Sequence, residues 1–143
     1  MEKILIIDDE AAICSSLTFA LEDDFNVTAT TDPYQGIKYV EEEHFQLCLL
    51  DLKIGNVNGI EIIQKLKVIQ PDIAIIMITA FGTISTSVEA LQKGAFSYVT
   101  KPINMDELRS TIKNALQFRQ LNHQVEYLSK ELEKKIPVSR NDW

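Results

Sequence analysis

Three acidic residues, Asp8, Asp9 and Glu10, follow directly after the short apolar run Ile4–Ile7. No basic residue lies among them, so their carboxylates repel one another unless a cation is bound nearby. A fourth acid, Asp51, follows a second apolar run, LCLL. Carboxylate oxygens are the ligands that hydrated Mg²⁺ prefers. If folding brings the two runs together, Asp8, Asp9 and Asp51 form an oxygen-only magnesium site.

Two further residues with suitable chemistry follow later apolar runs. Thr79 ends the run IAIIMIT, and Lys101 ends SYVTK. Each residue has an ordinary alternative explanation, because acids and threonines often cap helices and most lysines are solvated. In particular, Asp9 or Glu10 could cap a helix that begins near Ala11. Their common position after apolar runs favours a shared site.

The pattern of the whole chain predicts how these residues are positioned. Short apolar runs alternate with stretches of helical period, which is typical of parallel strands joined by crossover helices. Continuous apolar runs indicate a sheet covered on both faces, and the more polar segment 26–30 is expected at an edge. We predict strands at about residues 3–8, 26–30, 46–51, 73–79 and 97–101, and helices at about 11–23, 34–44, 59–69, 84–93 and 104–135. Sites in such α/β sheets lie outside the carboxyl ends of the strands, where all five candidate residues fall.

Composition narrows the classes of function. The chain has 143 residues, about the size of one domain with an extension, and a formal net charge of −7. This charge argues against direct binding of nucleic acid or an anionic membrane. No apolar run is long enough to span a membrane and no signal peptide is recognisable, so we expect a cytoplasmic protein. Cys14 and Cys48 lie in apolar segments and are expected to be buried and reduced.

The residues together resemble the receiver domain of bacterial two-component response regulators. Asp8-Asp9, Asp51, Thr79-Ala80 and Lys101-Pro102 match the motifs of that family in kind, order and spacing over about residues 1–120. The resemblance implies a flavodoxin-like five-stranded parallel sheet of order 2-1-3-4-5. It also implies a cis bond before Pro102.

The resemblance further implies a role for each site residue. Asp51 is the expected phosphoacceptor, and a sensor histidine kinase is the expected donor. Thr79 and Lys101 are expected to contact the phosphoryl oxygens, and Thr79 and Tyr98 to act as the conformational switch. The expected cofactor is Mg²⁺, and its expected ligands are Asp9, Asp51, the backbone carbonyl of Lys53 and, mainly through water, Asp8. Such a domain is not a conventional enzyme, although it catalyses its own phosphotransfer and dephosphorylation.

Two alternatives share part of this chemistry. Haloacid dehalogenase-type phosphohydrolases also form an aspartyl phosphate, but they need a second acid two residues after the nucleophile, where this chain has Lys53. Their acidic pair also comes last in the chain rather than first. A phosphate-independent interaction module of the same fold is the other alternative, but such modules typically lose a carboxylate or the lysine. The segment 55–59 lacks the features of a phosphate-binding loop and is expected to form a turn beside the site.

The C-terminal segment has a different pattern from the domain. Apolar residues recur at spacings of three and four beyond the expected domain edge, which favours a two-helix coiled coil. The residues of this seam are Phe118, Leu121, Val125, Leu128 and Leu132. We therefore predict a receiver domain over residues 1–118, a helical linker and tail over 119–143, and a homodimer through residues 118–135. The segments 79–83 and 94–102 are most similar to NtrC-like transcriptional activators, so the expected output is transcription activation by an attached or partner domain.

Overall fold

A computed structural model describes residues 1–80 and 84–135, and side chains are described for residues 1–80 and 86–121. The strands are β1 (Lys3–Ile7), β2 (Asn26–Thr30), β3 (Leu47–Asp51), β4 (Lys53–Ile54), β5 (Val57–Asn58), β6 (Ala74–Thr79) and β7 (Ser97–Thr100). The helices are α1 (Ala11–Leu21), α2 (Pro33–Glu42), α3 (Gly59–Ile69), α4 (Ile84–Gln92) and α5 (Met105–Lys135). None of these described helices is both long and apolar enough to cross a lipid bilayer.

Five of the strands form one sheet in the order β2-β1-β3-β6-β7. All neighbouring strands in it are parallel. Numbered only among themselves, the five strands have the order 2-1-3-4-5, so the predicted flavodoxin-like fold is confirmed. The polar strand β2 lies at an edge, as its sequence indicated. The chain changes direction across the sheet between β1 and β3, and the carboxyl ends of these two strands therefore border a crevice.

Apolar side chains fill a core layer on each face of the sheet. Strands β3 and β6 are buried along their whole length. Because successive side chains of a strand point to opposite faces, Leu50 packs in one layer and Leu49 in the other. The first layer includes residues of α2, α3 and α4, and the second includes residues of α1 and α5. As expected, Cys14 and Cys48 are buried free thiols.

A small hairpin follows β3, where the sequence predicted only a turn. Strands β4 and β5 pair antiparallel, with Lys53 opposite Asn58 and Ile54 opposite Val57. Gly55 has a φ of 61°, a conformation that residues with a Cβ rarely adopt. Strands of only two residues are too short to show an alternating pattern of apolar and polar residues. For this reason the pairing was not predicted from the sequence.

The amino-terminal end of the sheet is tied to α5 by a cluster centred on Asp72. Its Oδ2 accepts a hydrogen bond of 2.7 Å from Arg119 Nη2 and lies 3.4 Å from His44 Nε2. Arg119 Nε also donates to the Asp72 backbone carbonyl at 3.0 Å, and Gln70 Nε2 donates to Asp72 Oδ1 at 3.0 Å. Partial burial disfavours the charged carboxylate, but the Gln70 hydrogen bond and the positive charge of Arg119 lower the pKa of Asp72 overall. Helix α5 is therefore attached to the domain as far along as Arg119.

An aromatic contact lies beside this cluster. The ring centroids of Phe96 and Phe118 are 5.5 Å apart, with the rings tilted by 49°. Phe118 nevertheless remains 58% exposed, and Leu121, one turn further along α5, is 59% exposed. The predicted seam residues Val125, Leu128 and Leu132 lie outside the described side chains. The coiled coil therefore stays a prediction. Phe118 both contacts Phe96 of the domain and is partly exposed to solvent.

Candidate functional site

The carboxyl ends of β1 and β3 bring two of the predicted acids together. Ile7 lies beside Leu50 in the register of these strands, so Asp8 and Asp51 follow at the same edge of the sheet. Asp8 is 1% exposed and Asp51 6% exposed. Two buried carboxylates this close are costly unless a cation neutralises them. The pairing expected from the sequence is present, and it requires a positive partner.

Lys101 provides that positive charge. Its Nζ lies 3.1 Å from Asp8 Oδ2, 3.2 Å from Glu10 Oε1 and 3.4 Å from Asp51 Oδ2. Its side chain is only 13% exposed. Desolvation acts to lower the pKa of the Lys101 ammonium, but the adjacent negative charges of Asp8 and Asp51 outweigh it and raise the pKa above its ordinary range. Lys101 is therefore held as a cation among three carboxylates.

Burial has the opposite effect on the acid at the end of β3. Burial first, and then the negative charge of Asp8, raise the pKa of Asp51 to about 6, although Lys101 acts to lower it. The Oδ1 atom of Asp51 accepts a hydrogen bond of 3.3 Å from the backbone amide of Lys53. Asp51 is therefore mostly ionised at neutral pH and is oriented by both Lys101 and the start of β4.

The other acids of the first cluster do not cap α1 as the alternative explanation required. Glu10 is the N-cap residue, but its side chain makes no capping hydrogen bond. Asp8 Oδ1 accepts from the Glu10 amide at 2.9 Å. Asp9 is exposed, and its Oδ2 accepts from the Gly55 amide at 3.1 Å, which links it to the β4–β5 hairpin. The side chains of Asp9 and Glu10 are instead directed toward β4–β5 and Lys101.

The two predicted switch residues lie in different environments. Thr79 ends β6, is 4% exposed, and lies in the wall of the cavity above the acids. Its backbone carbonyl accepts a hydrogen bond of 2.8 Å from the Lys101 amide. Tyr98 lies on β7, 43% exposed, and is not among the residues that line the cavity. The structure thus brings Thr79 to the site and leaves the Tyr98 side chain at the surface.

A cavity of about 490 Å³ opens above these residues. The β4–β5 hairpin forms one part of its wall, and α4 contributes Thr86 and Glu89. The residues at its acidic end are Asp9, Glu10 and Asp51. The contribution of α4 was not predicted, because its sequence gives no sign of which helical face meets the site.

The acidic end has the donor chemistry that a hard cation needs. One carboxylate oxygen from each of Asp8, Asp9 and Glu10 lies within 4.8 Å of the other two. Asp8 Oδ2 is buried and faces Lys101, but among the described residues no aligned hydrogen bond reaches it. A buried oxygen in this condition is costly unless another partner is available. These residues therefore fit Mg²⁺, which takes oxygen ligands and retains several waters.

A family comparison agrees with this geometry. The response regulator receiver domain family matches residues 4–113 of the chain. The chain belongs to this family. The predicted receiver is thereby confirmed, and the match favours it over the haloacid dehalogenase alternative. The cis bond between Lys101 and Pro102 also agrees with what the resemblance implied.

Transcriptional regulatory proteins are among the relatives that this receiver resembles. It is 34% identical over 133 residues to the alginate biosynthesis transcriptional regulatory protein AlgB of Pseudomonas putida, covering 92% of this chain and 30% of AlgB. The receiver therefore spans less than a third of that relative. The similarity to AlgB and related regulators confirms the predicted resemblance to NtrC-like receivers.

Solved structures of other receivers have the same fold. A receiver domain protein from Methanospirillum hungatei superposes with a TM-score of 0.81 at 32% identity, covering 85% of this chain and 98% of that one. The beryllofluoride-activated NtrC4 receiver domain dimer gives a TM-score of 0.79 at 31% identity, covering 83% of this chain and 99% of that one.

Glycine at the start of α3 allows the helix to approach the site closely. A Cβ on Gly59 would overlap the backbone carbonyl oxygen of Asp51 and lie 2.8 Å from that of Leu52. The Gly59 amide also donates to the Leu52 carbonyl at 2.6 Å. The backbone that carries Asp51 is therefore in direct contact with α3.

We expect Gly59→Ala to push Asp51 out of position and to lower the free energy of unfolding by about 1–3 kcal/mol, the usual cost of overpacking. Urea denaturation measures the stability, and amide NMR shifts of residues 51–53 measure the displacement. Gly36→Ala is the matched control, because a Cβ there meets side-chain atoms of Ile7 and Thr30 rather than backbone. Wild-type stability and unmoved signals at residues 51–53 in Gly59→Ala would contradict the predicted displacement.

Proposed function

We propose that this receiver accepts a phosphoryl group on Asp51 from the phosphohistidine of a sensor histidine kinase and changes conformation in response. The observation that carries the proposal is the surroundings of Asp51: a buried carboxylate opening onto a cavity, with the Lys101 ammonium 3.4 Å away. Phosphoryl transfer depends chiefly on positioning and on neutralising negative charge, and both are available here.

The transfer uses one carboxylate oxygen of Asp51 as the nucleophile. A bond forms between this oxygen and phosphorus while the bond from phosphorus to the donor's imidazole nitrogen breaks, and the nitrogen keeps the electron pair. Asp51 must be ionised to attack, which its pKa of about 6 allows at neutral pH. Lys101 would then pair with one phosphoryl oxygen, and the Thr79 hydroxyl would donate a hydrogen bond to another. The same surroundings would let a water molecule release the phosphate later.

Binding of Mg²⁺ would complete the site. Asp9, Asp51 and the backbone carbonyl of Lys53 would hold the ion, and Asp8 would act mainly through water. When bound, Mg²⁺ neutralises charge on the oxygens of the transferred group. The support for this assignment is the adjacent carboxylates of Asp8 and Asp9, the position of Asp51 at the same edge of the sheet, and the buried Asp8 oxygen that lacks an aligned hydrogen bond.

The conformational switch is proposed to run from Thr79 to Tyr98. A switch needs two arrangements whose balance the phosphoryl group alters. Thr79 would move toward the phosphoryl group, and Tyr98 would turn inward from its exposed position on β7. The surface formed by α4, β7 and α5 would change as a result. The backbone link between Lys101 and Thr79 supports this coupling, since it joins the ends of β6 and β7.

The expected output is control of transcription by an attached or partner domain in the cytoplasm. Its support is the similarity to AlgB, a transcriptional regulatory protein of which this chain spans 30%. With a net charge of −7, the chain is poorly suited to contact DNA itself.

We also propose that residues 118–135 join two copies as a parallel coiled coil. Phe118 and Leu121 are both more than half exposed on α5, and a related receiver, that of NtrC4, has been solved as a dimer. Each of the five apolar seam residues contributes roughly 1.5–3 kcal/mol on full burial, against an association cost of about 4–15 kcal/mol. The dimer is therefore expected to be marginal, so that phosphorylation could shift it.

The first prediction is that Asp51 takes up one phosphoryl group from acetyl phosphate and that uptake needs Mg²⁺. Intact-mass measurement should show the adduct in wild type with Mg²⁺, but not in Asp51→Asn or after chelation by EDTA. Asp23→Asn, an exposed position, is the control and should behave as wild type. An adduct in Asp51→Asn would overturn the assignment, and the absence of any adduct in wild type would favour a phosphate-independent module.

The second prediction concerns the switch. Beryllofluoride with Mg²⁺ mimics the acyl phosphate, and we expect Thr79→Ala to lose most of the NMR shift response that wild type shows over residues 84–101. Thr31→Ala changes an exposed threonine directly after β2 and should retain that response. A full response in Thr79→Ala would show that the coupling does not pass through its hydroxyl.

The third prediction is that Leu128→Lys is a monomer, because it introduces a charge into the proposed seam. Sedimentation equilibrium compares it with wild type and with Ser129→Lys, which adds the same charge beside the seam. Circular dichroism checks that each variant is folded. If Leu128→Lys dimerises as wild type does, the interface lies elsewhere.

A further inference from the structure

Lys101 contacts Glu10, although its proposed role in phosphoryl transfer does not require this contact. Its ammonium donates hydrogen bonds to Glu10 Oε1 at 3.2 Å and to Asp51 Oδ2 at 3.4 Å, and it also pairs with Asp8 Oδ2 at 3.1 Å. An ammonium has three N–H donors. Glu10 and Asp51 accept two of these donors, and Asp8 Oδ2 holds the ammonium from a third direction by its charge. An incoming phosphoryl oxygen therefore competes with three carboxylates for the Lys101 ammonium.

Glu10 differs from the other two carboxylates around the lysine. It is 59% exposed, whereas Asp8 and Asp51 are buried. It occupies the N-cap position of α1 without capping the helix, and its side chain reaches a residue 91 positions later in the chain. The contact between Glu10 and Lys101 therefore plays no part in capping α1.

Metal binding would make Glu10 the main competitor for Lys101. Asp8 and Asp51 belong to the proposed Mg²⁺ site, and the ion would weaken their hold on the ammonium. Glu10 lies beside Asp8 and Asp9 but is not one of the proposed ligands, so it would keep its full charge when the ion is bound. Asp8, Glu10 and Asp51 contact the Lys101 ammonium, and Asp9 lies beside Asp8 and Glu10. These four carboxylates together with Lys101 and one Mg²⁺ would still carry a net negative charge. Glu10 thus opposes the approach of an anionic phosphoryl group and holds the lysine that should receive it.

We propose that Glu10 is a positioning residue that retains Lys101 in the unphosphorylated site and thereby slows phosphoryl transfer to Asp51. This inference rests on the proposed function. Its consequence is that Glu10 sets how readily the receiver takes up phosphate from any donor. Formation of the phosphorylated state requires Lys101 to leave Glu10 for the phosphoryl oxygen.

The first experiment compares phosphorylation rates from acetyl phosphate at saturating Mg²⁺ by intact-mass measurement. Glu10→Gln should take up phosphate about two- to fivefold faster than wild type, the size expected for loss of a partly exposed ion pair. The matched control is Glu89→Gln, which removes one negative charge from the wall of the same cavity. No hydrogen bond or ion pair joins Glu89 to Lys101 among the described residues. If the negative charge around the cavity alone slowed the approach of the phosphoryl donor, both variants would take up phosphate faster than wild type.

A second readout does not depend on metal or on phosphate. In the Mg²⁺-free protein, NMR of the side-chain Cε and Nζ of Lys101 should differ from wild type in Glu10→Gln and agree with wild type in Glu89→Gln. A third comparison adds Glu10→Gln to Lys101→Ala. Because the proposed effect passes through the lysine, adding Glu10→Gln to Lys101→Ala should leave the phosphorylation rate unchanged. Where Lys101→Ala takes up phosphate too slowly to follow, its affinity for beryllofluoride should be unchanged instead.

Faster uptake in Glu10→Gln alone, with the lysine signals shifted and the effect lost in Lys101→Ala, supports the proposal. A rate equal to or below wild type, equal acceleration in Glu89→Gln, or acceleration that persists without Lys101 would overturn it. Failure of wild type itself to take up phosphate would instead overturn the proposed function, so the two failures are distinguishable.

Discussion

The arrangement of this receiver depends on mutual repulsion among acids gathered at one edge of the sheet. Parallel strands end together, and the chain places Asp8 and Asp51 at neighbouring ends where both are buried. Lys101 stands between them, brought from the far end of the domain by β7. The apolar strands behind these residues fix the positions of the charges. The packing of the core therefore holds the carboxylates together against their mutual repulsion.

Much of this arrangement could be predicted from the sequence. The five sheet strands and five helices lie within two residues of their predicted bounds, because continuous apolar runs and helical periods are strong signals. Parallel order then places the residues at the carboxyl ends of β1, β3, β6 and β7 on one edge of the sheet, so the sequence alone locates the acids, Thr79 and Lys101 there. The family motifs gave the same residues.

Other contacts could not be predicted, because they depend on where long side chains end. Glu10 was considered as a helix cap, yet it reaches Lys101, and sequence spacing holds no information about a pair 91 residues apart. Phe118 was assigned to an exposed seam, and its ring also packs against Phe96 of the domain. The link between Asp72 and Arg119 likewise joins residues that are distant in sequence. These contacts arise only after the strands and helices have been assembled.

The attachment of α5 at Arg119 makes the rest of that helix a lever arm. Helix α5 continues to Lys135, and these 16 further residues extend about 24 Å at 1.5 Å per residue. A tilt of about 5° at Asp72 and Phe96 would therefore move the far end by roughly 2 Å, a distance comparable to the helix shifts used in regulated assemblies. Because Phe96 immediately precedes β7, a small adjustment of that strand acts at the fulcrum of the lever. The length of α5 would thus convert a small rotation near Arg119 into a displacement of roughly 2 Å at Lys135.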